Sequence, residues 1–109
     1  MHLGTVIARL ESEEDAGEAL AALGDVVLYA SVVATGERFG ESPARYAATA
    51  VARFADGASD EDWVTLLGAM ERARQPGQTF LAFAIRWALA RDAPRDEAPM
   101  RCGTTSAAR

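Results

Sequence analysis

Residues 26–40 read VVLYASVVATGERFG. Four valines in eight positions favour a strand, because β-branched side chains fit a pleated backbone. The spacing argues the other way. Leu28, Val32 and Phe39 fall on one face at helical intervals, with Val33 beside them. Asp25 stands where an N-cap belongs, and Gly40 follows where a left-handed residue closes a helix. A helix is therefore expected over this stretch, and with it the chain becomes all-α.

The same punctuation extends in both directions. Upstream, Leu3, Val6, Ile7 and Leu10 make one or two amphipathic turns, and Ser12 opens SEED with Asp15 in the acidic position of a capping box. The acids there suit the positive end of a helix dipole. Ala16, Ala19, Leu20 and Leu23 supply the apolar stripe, and Gly24 ends it. Downstream, Ser42-Pro43 pairs an N-cap with a proline at the first helical position, where its missing N–H costs nothing. That helix carries Tyr46, Ala50, Val51 and Phe54 and should stop near Asp56. Ser59 and Asp62 form a second capping box before Trp63, Leu66, Leu67 and Met70, and Pro76 opens a last helix that is apolar nearly all round. Such a helix belongs at the centre of a bundle or in an interface. The expected architecture is a compact bundle of five to six short helices over residues 1–92, with 93–109 a flexible tail that has two prolines and no periodicity.

Composition narrows the function. A chain of 109 residues is one domain by size and should bury roughly 65% of its unfolded surface, enough to fold without staples. The net charge is −5. Residues 1–25 hold Arg9 against Glu11, Glu13, Glu14, Asp15, Glu18 and Asp25, while ten arginines balance ten acids in the remainder. Nucleic acid is not expected as a partner, since there is no basic footprint, and an anionic membrane surface is unsupported for the same reason. The single cysteine, Cys102, excludes an internal disulfide. With no signal-peptide pattern and no apolar run of spanning length, a cytoplasmic place is expected.

Chemistry-bearing residues are sparse. His2 is the only histidine and Cys102 has no neighbour to activate it. Glu11, Glu14 and Glu18 lie at helical intervals and read as a solvated acidic face; the Glu-x-x-His motif of carboxylate-bridged metal sites is missing. Phosphate-cradling glycine loops and CxxC pairs do not occur. No catalytic residue, metal ligand or cofactor is therefore assigned. Trp63, Phe80, Phe83 and Trp87 read as core before ligand box, and Trp87→Ala is expected to be the most damaging change outside the caps.

Residues 26–56, VVLYASVVATGERFGESPARYAATAVARFAD, resemble the two helices of ribbon-helix-helix regulators: a first helix closing on Phe39-Gly40, then Ser42 capping a second with Tyr46, Val51 and Phe54. In that family a strand from each chain pairs to form the ribbon that reads the major groove. Here the place of the strand is taken by SEEDAGEALAALG, which is acidic and helical in period, so no base-reading residue carries over. The leading expectation is a small non-enzymatic protein that binds another protein or a second copy of itself. Phe80, Phe83 and Trp87 on the last helix and Glu11, Glu14 and Glu18 near the N-terminus are its candidate partner surface. The alternative is a transcription regulator or antitoxin-like protein derived from the ribbon-helix-helix pattern, with Arg38, Arg45 and Arg53 as its basic face.

Overall fold

The computed structural model describes residues 3–93. The expected tail from 94 onward, Cys102 and His2 lie outside the described residues. Within them the chain is all-α, with six helices: α1 Leu3–Leu10, α2 Glu13–Leu23, α3 Val26–Arg38, α4 Pro43–Gly57, α5 Asp60–Glu71 and α6 Pro76–Asp92. The valine-rich stretch is helix α3. Its head is capped by Asp25, whose carboxylate accepts the Leu28 N–H at 3.0 Å. Ser42 and Ser59 cap α4 and α5 in the same way. The Ser59–Asp62 box is complete in both directions, whereas at α2 only the long 3.5 Å bond from the Asp15 N–H to Ser12 forms.

Helices α4 and α6 are the middle of the bundle. They pack on each other and on α2 and α3, while α5 closes the far side of α6 and α1 lies on α2 and α4. From α4 the residues Tyr46, Ala47, Ala50, Val51 and Phe54 point inward at helical intervals, and α6 answers with Phe80, Leu81, Ala84, Ile85 and Ala88. The nearly uniform apolarity of α6 thus has a simple cause: helices surround it on several sides. Small residues set the spacing elsewhere. A Cβ added to Gly17 on α2 would stand 2.9 Å from that of Ala44 on α4, so the helices meet there at close range.

The reversal between α3 and α4 departs from the periodic reading. Phe39 is not in the core but 53% exposed, because the helix stops at Arg38 and the chain turns left-handed at Gly40 (φ 70°). The Gly40 N–H bonds to Glu37 O at 3.2 Å and the Glu41 N–H to Gly36 O at 2.8 Å, the paired pattern of a Schellman motif. The inward position in that last turn belongs to Gly36, where a Cβ would fall 2.7 Å from the Glu41 carbonyl oxygen. Gly36→Ala is therefore expected to destabilise the fold by about 1–3 kcal/mol, the usual cost of overpacking a site that must move backbone to relax. Alanine's better helix propensity offsets only part of that. A urea melt with an unchanged midpoint would contradict the close approach.

Candidate functional site

The most concentrated polar chemistry sits where α6 ends. The Asp92 carboxylate accepts a hydrogen bond from the Tyr46 hydroxyl at 2.6 Å and two from the Arg53 guanidinium, at 2.9 and 3.1 Å. Arg38 donates to the Asp92 backbone oxygen at 3.0 Å, one of the carbonyls a helix end leaves without an internal partner. Three elements converge because Tyr46 and Arg53 stand two turns apart on α4 and Arg38 closes α3. The hydrogen bonds from Arg53 hold the Asp92 carboxyl below the usual carboxylate range, against the opposing effect of burial, and Tyr46 adds to them. Burial first, and then the bond to Asp92, push the Tyr46 phenol well above its ordinary value. The Asp92 carboxylate is thus favoured as the charged acceptor and the Tyr46 hydroxyl as the neutral donor. This is a clamp joining α6 to α3 and α4, with three donors from α4 on the carboxylate.

The aromatic residues form a second cluster, centred on Phe54. Its ring lies 4.9 Å from Trp63, 5.8 Å from Phe80, 5.7 Å from Phe83 and 5.4 Å from Trp87, all edge to face. Phe80 is wholly enclosed and is core, so it leaves the candidate partner surface. Phe83 and Trp87 are half-buried against the same hub, because α5 covers the side of α6 that sequence left open. The Trp87 indole N–H donates to Asp62 at 3.2 Å and the Arg91 guanidinium stacks 3.8 Å above its ring. Asp62 therefore joins two elements as well as capping one, and its carboxyl is lowered first by the Ser59 backbone N–H and further by Trp87.

The acidic residues are divided. Glu14 and Glu18 are exposed on α2, but Glu11 lies in the turn before the Ser12 cap, so the three do not share a helix face. Helical spacing does not carry across the break between two helices. Among the described residues no group of histidine, cysteine and carboxylate side chains is arranged to hold a metal. An open cleft between α1, α2 and the head of α6 is walled by Val6, Leu10 and Ala19, with Arg9 and Arg74 against Asp15 and Glu18 at its edges. Its lining is mixed in charge.

What the sequence reading passed over is the outer side of α3. Val26 is 80% and Val27 76% exposed, Ala30 and Ala34 follow on the same side, and Tyr29 flanks them. Residues 26–36 contain no charged side chain, although this is a surface helix with only Leu28, Val32 and Gly36 buried. That charge-free run is the signal in the sequence, and the strand-forming tendency of valine masks it. A second, smaller exposure, Val64 and Leu67, lies on α5. No described helix is long and apolar enough to cross a membrane. Comparison of the chain with protein-family models, with curated proteins and with solved structures finds no match.

Proposed function

We propose that this chain is a small non-enzymatic interaction module of the cytoplasm, acting through a helical surface that binds another protein or a second copy of itself. The observation that carries the reading is the contrast between its polar and apolar groups. The strongest polar constellation, Asp92 with Tyr46, Arg53 and Arg38, is engaged from within. The outer side of α3 instead leaves large apolar side chains in water without charged neighbours along the helix. Scattered apolar residues are ordinary on a surface, but a contiguous patch on one helix is the usual mark of an interaction site.

The alternative, a regulator of ribbon-helix-helix descent, needs Arg38, Arg45 and Arg53 as an open basic face. Arg53 is engaged with Asp92 through both terminal nitrogens, Arg38 is bonded to the Asp92 carbonyl, and Arg45 stands 3.8 Å from Glu41. The test is capture from the source cell with the wild-type chain and with Val27→Asp, alongside a gel shift on random duplex at low salt. Retention of a protein by the wild type but not by Val27→Asp, with no shifted duplex, is the expected result. A duplex shifted at low salt and released by added salt would move the reading to the alternative.

A further inference from the structure

We infer that the outer face of α3 is a two-fold docking surface for a second copy of this chain, the two α3 helices packing antiparallel; this rests on the interaction reading above and names its partner. Both steric and electrostatic features along α3 are self-complementary in that direction. The apolar bulk is at the head, in Val26 and Val27, and the exposed position toward the tail is the small Ala34, with Ala30 midway between them. Turning one helix end for end about Ala30 sets Val26 of each copy over Ala34 of the other and Val27 over the half-buried Val33, and brings the two Ala30 positions together at the axis. A parallel arrangement would place bulk on bulk and leave the alanine end unfilled.

The charges at the two ends agree with this. At the head, Asp25 is paired at 3.2 Å with Arg86 from α6, whose side chain is still 60% exposed. At the tail stand Glu37 and Arg38, both exposed. Antiparallel docking brings the exposed Arg86 of each copy to Glu37 of the other, while Arg38 stays on the Asp92 carbonyl of its own chain, so an Arg86–Glu37 pair joins the two copies at each end. Between the ends the uncharged stretch 26–36 carries no charge that would be left buried and unpaired. A two-fold interface needs one self-complementary patch and nothing else. The helix is about 20 Å long at 1.5 Å per residue, so the contact lies at the small end of specific interfaces, and a dissociation constant on the order of 1–100 μM is expected.

Sedimentation velocity from about 1 μM to 1 mM tests this in the full chain. The wild type should pass from monomer to dimer over that range. Ala30→Glu, which sets two carboxylates at the axis, should weaken association by at least about 100-fold and leave the thermal melt of the monomer unchanged, since Ala30 is exposed. Register is tested by charge reversal: Glu37→Arg alone and Arg86→Glu alone should each lose self-association, while an equimolar mixture of the two should form a heterodimer. A wild type that stays monomeric to 1 mM overturns the proposal, as does a dimer indifferent to Ala30→Glu or a mixture that fails to pair. A monomeric wild type that captures a different protein through a surface lost in Ala30→Glu would overturn the second copy as occupant and leave the interaction reading standing. Neither self-association nor capture would remove both.

Discussion

Phe54→Ala is expected to lower stability by about 3–5 kcal/mol, the range for removing an aromatic side chain from a packed core. That is a large fraction of the roughly 5–15 kcal/mol that holds a domain of this size together. Phe54 is fully buried and is the one ring in edge-to-face contact with Trp63, Phe80, Phe83 and Trp87 at once. Its removal opens a cavity bordered by four rigid rings on two helices, and such a site relaxes poorly. Trp87→Ala should cost less, because Trp87 is only half-buried and its loss opens a space toward solvent. Sequence reasoning placed the largest effect at Trp87; the packing moves it to Phe54. Denaturant melts of the two variants check the order, and a Trp87→Ala chain less stable than Phe54→Ala would show that the hub is misplaced.

Asp92→Ala is expected to be the second large effect, about 2–3 kcal/mol, since it removes charge-assisted hydrogen bonds and leaves the Tyr46 hydroxyl without its partner. The Arg53 side chain is 37% exposed, and water recovers part of its loss, which keeps the figure below that of a fully buried pair. The pH dependence has a definite sign. The Asp92 carboxyl is lowered in the fold, chiefly by Arg53, so its contribution is complete above the unfolded value of about 3.9 and disappears as pH falls through the lower folded value. The stability gap between wild type and Asp92→Asn should therefore be constant from about pH 7 to 5 and narrow below about pH 4. Thermal melts across that range measure it. A gap that persists undiminished at the acid end would mean that the carboxylate charge is not what holds the clamp.

Much of this fold could be read from residues that act locally. Asp25, Ser42 and Ser59 announce helix starts because a short polar side chain reaches a backbone N–H three residues on, and that bond needs no tertiary context. Gly40 and Pro43 are legible for a similarly local reason, as glycine takes the left-handed angle at little cost and proline fixes its own φ. The clamp was invisible because Tyr46, Arg53 and Asp92 are brought together only by the packing of α4 on α6. In sequence Tyr46 is one more member of an apolar stripe and Asp92 one more acid in a polar run. Phe80 reads both as core and as candidate partner surface, because a helix apolar all round does not reveal how many neighbours it has; its burial decides for core. Glu11 was misplaced because the Ser12 cap breaks the helix that its spacing assumed.

If α4 and α6 are the cooperative unit on which the other helices hang, joined by the Phe54 hub and the Asp92 clamp, their amides should exchange with solvent only when the whole chain unfolds. Native-state hydrogen exchange measures this residue by residue. The predicted result is that Val51, Phe54, Ala84 and Ile85 show opening free energies equal to the stability from a denaturant melt. The amides of α1 should open at a smaller cost, because that helix buries only Leu10 fully. The contradicting result is an α6 that opens well below the global stability while α2 or α3 remains protected, for then the organising contacts would lie elsewhere.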